Sequence, residues 1–308
     1  MSTLLFYHSA FLQHDTGIGH PERADRLRAI MHKLEGEEFF HLDRRVAPTA
    51  TIEQLSRVHD KEYITEILHA EPKHGHAYLD GDTLMSPGSG EAALRAAGAV
   101  CAAVDAVMRG EARNAFCAVR PPGHHAERDR AMGFCLFNNV AVGALQARTV
   151  HGVRRVAVVD FDVHHGNGTQ AMFAADRELF YASTHEWPLY PGTGHPRETG
   201  LGNIMNLTMP PDAGSLEFRM AVEQELIPAL DRFAPDLLMI SAGFDAHRAD
   251  PLASLNLVDQ DYEWVTERLC GVANRHSGGR LVSTLEGGYD LAALANATAA
   301  HVRALMVN

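Results

Sequence analysis

Seven short apolar runs recur along the chain, each ending in a polar or glycine-rich turn: LLFYH, AFCAVR, RVAVVDFD, LFYAST, NIMNLTM, DLLMISAG and RLVSTLEGG. They are rich in Val, Ile, Leu and Phe, and several lack polar alternation, which is the pattern of strands covered on both faces. Between them lie stretches of helical character at 89–109, 138–150, 215–233 and 259–276. The first opens on Ser89 and Gly90 and is rich in alanine, the best helix former. Strands alternating with helices predict an α/β fold in three αβα layers around a central, mostly parallel sheet. No linker, low-complexity tract or repeat divides the chain, so residues 1–308 are expected to form one domain.

The polar residues gather where the apolar runs stop. AVR leads into PPGHH, VAVVDFD into VHHGNG, LFYAST into HEWPLYPGTG, LLMISAG into FDAHRADP, and LVSTLEGG into YD. In parallel α/β sheets ligands bind at the carboxyl ends of the strands, so five such endings point to one composite site. The PPGHH ending raises its own question. Neighbouring side chains on a regular strand face opposite ways, so His124 and His125 serve one site only if the backbone bends. Pro121, Pro122 and Gly123 are the residue types that make a bend. Taken alone, a surface turn accounts for the stretch equally well.

The 308-residue chain is 46% hydrophobic, enough for a large core, which excludes a disordered protein. A formal charge of −12 argues against holding nucleic acid on a broad basic surface. It leaves room for a small cationic or lysine-containing substrate. The four cysteines, Cys101, Cys117, Cys135 and Cys270, form no CxxC pair, as expected of free thiols in a reducing compartment. The first residues, MSTLLFYHSAFLQHD, lack a basic start and a small-residue cleavage site, and read as a strand. No run of about 18 apolar residues suggests a membrane span. A cytoplasmic protein without membrane or nucleic-acid partners is the expectation.

One ending carries the residue types of a metal site. In VVDFDVHHGNG, Asp160, Asp162 and His164 stand at alternate positions and share a face of an extended segment. Asp162 and His164 then offer a carboxylate and an imidazole to one point, and Asp245 of SAGFDAH is the candidate second carboxylate. Two carboxylates and one imidazole with an open position suit catalytic zinc, and tolerate iron(II), cobalt or manganese. His165 points away from His164 on a regular strand. His185 and His247 lie nearby in the pattern and are treated as non-ligands.

Five stretches taken together resemble the zinc-dependent histone deacetylase family of the arginase/deacetylase fold: HPERADRLRAI, RPPGHHAERDRAMGFCLFNN, VDFDVHHGNGTQ, SAGFDAHRADPL and EGGYD. The resemblance covers nearly the whole chain, in order. Asn167 and the Leu252 region are similar to the class II and bacterial histone deacetylase-like amidohydrolase branch. The resemblance implies a single deacetylase catalytic domain with Zn2+ held by Asp162, His164 and Asp245. It implies that His125 is the general base, that His124, oriented by Asp160, is a cationic partner, and that Tyr289 donates to the oxyanion. Asn167 stands where class I enzymes carry a second orienting aspartate, so His125 should be less polarised. Substrate contacts fall on Gly133, Phe134, Tyr190, Leu252 and Asp82. The family usually has phenylalanine where this chain has Tyr190. A structural K+ is implied beside Asp160, Asp162, His164, Ser183 and Thr184, and Arg23 matches an arginine of an internal acetate channel.

The activity so implied is removal of acetyl or other acyl groups from acylated lysine or similar amines through a metal-activated water. Small acetylated amines such as acetylpolyamines are the alternative substrates. A metal-binding protein that holds acyl-lysine without turnover fits less well, because the His-His, Asp/His/Asp and Tyr set is intact. A manganese ureohydrolase would need more aspartates after the histidine pair than DVHHGNG supplies. Leu252 carries no charge for a distal ammonium, which favours acyl-lysine-like or neutral amides; Asp82 or Asp80 would be the cation's partner otherwise. A homo-oligomer is compatible with the sequence.

Overall fold

Eight strands pair in parallel into one sheet in this computed structural model, which describes residues 2–308. In spatial order they are β2 (Asp43–Val46), β1 (Thr3–Tyr7), β5 (Asn114–Cys117), β10 (Leu281–Leu285), β9 (Leu237–Ala242), β6 (Val156–Asp160), β7 (Leu179–Glu186) and β8 (Ile204–Met209). All seven apolar runs of the sequence are strands of this sheet. Every residue of β5, β6, β7, β9 and β10 is buried, which is why those runs show no polar alternation. The remaining strand, β2, reads DRRV and alternates half-buried with exposed positions at the sheet edge. Its three charged residues hide it from a hydrophobic pattern, and they suit an edge that must not recruit another strand.

Helices cover both faces. On one side α4 (Ser89–Met108) packs on α5 (Asn139–His151). On the other, α10 (Leu291–Val307) packs on α9 (Asp259–His276) and α1 (Asp25–Lys33). The shorter α2 (Ile52–Leu55), α3 (Lys61–Ala70) and α6 (Asn167–Phe173) lie in the connections. The helical stretch expected at 215–233 is present but interrupted: α7 (Ser215–Ala221) and α8 (Ile227–Phe233) flank a π-helical turn. Residue choice explains the ends of α5. The Asn138 side chain accepts the Ala141 N–H at the start, and Gly152 closes the helix at φ +65°.

A two-stranded antiparallel hairpin, β3 (Ala77–Tyr78) with β4 (Leu84–Met85), stands apart from the sheet. Among the described residues no helix is long and apolar enough to cross a membrane. The loops after β5, β6, β7, β9 and β10 carry the polar endings, and the parallel sheet brings them to one edge.

Candidate active site

At that edge one ligating atom from each of Asp162, His164 and Asp245 lies within 4.8 Å of the others. His164 Nδ1 stands 3.2 Å from Asp162 Oδ1 and 3.0 Å from Asp245 Oδ2. Backbone amides aim the carboxylates: Gly287 N donates to Asp162 Oδ2 at 2.8 Å, and Val163 N donates to Asp245 Oδ1 at 2.8 Å. Two glycines make the room. A Cβ on Gly243 would sit 2.1 Å from Asp162 Oδ2, and one on Gly287 2.2 Å from Asp245 Oδ2. Burial opposes a charged His164, yet the two carboxylates push its pKa up to about 10. Two carboxylates and one imidazole, buried and converging on one point, are the donor set of a catalytic zinc site, so the residues fit a zinc ion. His165 is turned away, with Nδ1 bonded to Thr193 Oγ1 and Nε2 to Gln170 Oε1. His185 is bonded to Ser183 and the Gly194 carbonyl, and His247 faces Asp259.

The PPG bend does bring both histidines to one place. The His124 and His125 ring centroids are 4.0 Å apart. Their partners differ. His124 Nδ1–H donates to Asp160 Oδ2 at 2.9 Å, and His125 Nδ1–H donates to the Asn167 carbonyl oxygen at 2.8 Å. That tautomer follows from Asn167, whose amide nitrogen donates to Glu127 Oε1 at 2.7 Å and so leaves its oxygen facing the ring. A neutral His125 then carries its lone pair on Nε2. Charge separates the pair. Burial works against a charged His124, but Asp160 and Asp162 outweigh it and push its pKa up to about 10. Burial, then the positive charge of His124, drives His125 well below the usual histidine range. Gly133 closes against this ring, at φ +56°, where a Cβ would lie 2.4 Å from His125 Cδ2.

Above the cluster opens a cavity of about 240 Å³, lined by Asp82, His125, Gly133, Phe134, His164, Leu189, Tyr190, Leu252 and Tyr289. It is small for a ligand site and suits a slim chain. Every substrate-contact residue expected from the sequence is therefore on one cavity. The Tyr190 ring stands 5.2 Å from His125 at 84°, and Phe134 stands 5.9 Å from Tyr289 at 82°. Asp80 does not line the cavity. Its Oδ1 accepts the Asp82 and Thr83 amides and shapes the loop.

Other expectations are changed. Arg23 is not an internal arginine: its side chain is 48% exposed and pairs with Asp25. The buried arginine of this segment is Arg26, one helical turn further, where the inward positions of α1 begin. Its guanidinium lies 4.9 Å over the Tyr289 ring and donates to the Gly288 and Glu286 carbonyls. Of the residues expected around potassium, Ser183 and Thr184 present their hydroxyls to opposite faces of β7. Strand register pairs Ser183 with Asp160, whereas Thr184 faces the other side of β7 and its buried hydroxyl has no hydrogen-bond partner. The two hydroxyls do not converge.

Three supporting carboxylates were missed in the sequence. Glu286 Oε2 accepts the Gly123 and His124 amides at 2.7 and 3.1 Å, and Oε1 accepts Ser241 Oγ–H. Glu22 forms a fully buried ion pair with Arg120 and Arg26. Asp250 accepts the Leu252 and Tyr289 amides at 3.0 and 2.7 Å, tying the cavity mouth to the tyrosine. Only Glu286 carries a signal, as the one charged residue in the apolar and glycine-rich run LVSTLEGG.

Comparison with known proteins places this geometry in context. The histone deacetylase domain matches residues 20–305. A probable deacetylase of Archaeoglobus fulgidus is 39% identical, over 94% of this chain and 82% of its own length. The histone deacetylase-like amidohydrolase of Pseudomonas aeruginosa is 40% identical, over 91% of this chain and 75% of its own. The crystal structure of the HDA15 HD domain superposes with a TM-score of 0.94 at 34% identity, covering 100% of this chain and 89% of that one.

Proposed function

This chain belongs to the histone deacetylase domain family, and from that membership and the site geometry we propose that it is a zinc-dependent amidohydrolase acting on acylated lysine or similar amines. The observation that carries the reading is the convergence of Asp162, His164 and Asp245 with a histidine pair of unlike partners, an aspartate and an asparagine, at the base of a narrow cavity. Asp162, His164 and Asp245 would hold the zinc ion. When bound, zinc acts as a Lewis acid that acidifies water and polarises an amide carbonyl.

The chain's own groups account for the rest of the reaction. His125 Nε2 is a free lone pair at the cavity floor and takes the proton of the attacking water. It returns that proton to the departing amine. His124, kept cationic by Asp160, is the fixed positive charge beside it. The Tyr289 hydroxyl, on the cavity wall, donates to the oxyanion as it develops. Arg26 stacks on the tyrosine and Asp250 holds its backbone, so the donor is oriented before substrate arrives. Phe134 and Tyr190 shape a passage for an alkyl chain and exclude water. Potassium beside Asp160 and Ser183 and a cytoplasmic location belong to the same reading.

The substrate is the finer part of the proposal. Leu252 at the mouth is neutral, which supports acyl-lysine over a free polyamine whose second ammonium would be desolvated without a partner. A polyamine reading draws on Asp82, a carboxylate on the same cavity. Turnover of a fluorogenic acetyl-lysine peptide and of N-acetylputrescine, each with and without a chelator, tests both. Chelator-sensitive cleavage of the peptide is expected to be the faster. Activity indifferent to metal removal would refute the mechanism, and faster cleavage of N-acetylputrescine would reverse the substrate order.

A further inference from the structure

We propose that Thr83 is a positioning residue that sets selectivity for the length of the amine's alkyl chain by tying the acidic mouth of the cavity to its aromatic wall, an inference that rests on the deacylase reading above. Thr83 does not line the cavity and its side chain is 1% exposed. Its hydroxyl nonetheless touches two residues that do. It accepts the Phe134 backbone N–H at 3.0 Å and donates to Asp82 Oδ1 at 2.9 Å. A hydroxyl has one proton to give, so the bond to Asp82 fixes which side of the oxygen faces Phe134.

Phe134 needs such a tie. It sits at φ +68°, a left-handed conformation that is an outlier for a bulky side chain and persists only where its surroundings fix it. The other ties in this corner run to the same two residues. His20 donates from Nε2 to the Asp82 carbonyl at 3.2 Å and packs its ring edgewise on Phe134 at 4.8 Å. The tautomer is set because Glu22 N donates to His20 Nδ1 at 3.1 Å. Asp80 in turn pins the Thr83 amide at 2.7 Å. Thr83 thus offers a single hydroxyl to both a mouth carboxylate and a wall aromatic. None of its contacts reaches Asp162, His164, Asp245 or the histidine pair.

Thr83→Val keeps the volume and β-branching and removes both hydrogen bonds, and Thr83→Ser keeps both. If Thr83 holds the wall, Val should lower the kcat/KM ratio of acetyl-lysine over acetyl-ornithine peptide by about tenfold, the scale of one methylene in a pocket. Zinc content should be unchanged, and Ser should restore the wild-type ratio. Equal losses on both peptides, or a ratio that Ser fails to restore, would show a role in stability only and overturn the proposal. A crystal structure of Thr83→Val supplies a readout that needs no substrate. Phe134 is expected to leave its left-handed conformation or Asp82 to turn away, and both unmoved would overturn the proposal. Failure of the wild type to cleave any acyl-lysine peptide would refute the deacylase reading instead, and the crystal structure would still decide the role of Thr83. If Thr83→Val does not fold, Thr83→Ala in the same measurements takes its place.

Discussion

At the floor of the cavity, Asp162, His164, Asp245 and the histidine pair lie in the turns that leave β6, β9 and β5, and all are buried or nearly so. At its mouth, Asp82, Tyr190 and Leu252 come from a hairpin and two long loops, and all three are partly or largely exposed. The floor is braced by a sheet whose strands cannot shift without breaking two neighbours. The mouth is braced by single side chains such as Thr83 and Asp250. A rigid floor fits chemistry that needs fixed distances, whereas a loop-built mouth can be changed residue by residue without touching the reaction. Changes at the floor should therefore abolish activity, and changes at the mouth should redirect it.

The floor should give the largest effect. Asp245→Ala is expected to remove most bound zinc, read by elemental analysis, and to lower kcat/KM by about 10³-fold or more, a few kcal/mol of transition-state stabilisation. Full zinc occupancy in this variant would end the ligand assignment. Within the floor the two histidines should separate. His125→Ala removes the base and should cost roughly 10²–10⁴ in kcat, while His124→Ala leaves Nε2 of His125 in place and should cost less. Equal losses would mean the pair works as one unit. The mouth should give the smallest effect on rate and the clearest on choice. Leu252→Glu is expected to move the kcat/KM ratio towards an acetylpolyamine by about tenfold, one charge-assisted contact, with acetyl-lysine turnover largely retained. A loss of both activities together would erase the distinction between mouth and floor.

The same division governs what the sequence discloses. Floor residues announce themselves because they follow apolar runs in a fixed rhythm: Asp162 and His164 two apart, His124 and His125 after PPG. Even the strand order is immaterial to finding them, since all parallel strands end at one edge. Arg23 and Arg26 both belong to HPERADR, and only the phase of α1 decides that Arg26 points inward. Thr83 and Asp250 were invisible for another reason. Their importance lies in backbone amides 51 and 39 residues away in the chain, and amides leave no mark in a sequence. Asn167 was legible as a substitution for aspartate, but its effect on the His125 tautomer depends on Glu127, which only the fold brings alongside.

The position of β10 has a consequence for how the molecule is made. This strand follows all the other strands of the sheet in chain order, yet it lies in the middle of the sheet between β5 and β9. Without it, β5 and β9 each lack the neighbour that joins the two halves of the sheet. Glu286 and Gly287, which fasten the histidine bend and Asp162, follow it directly. At cellular elongation rates the interval between β5 and β10 is on the order of ten seconds or more. During that time the site has no closing strand, so a growing polypeptide completes it only once β10 and the Glu286–Gly287 turn have been made.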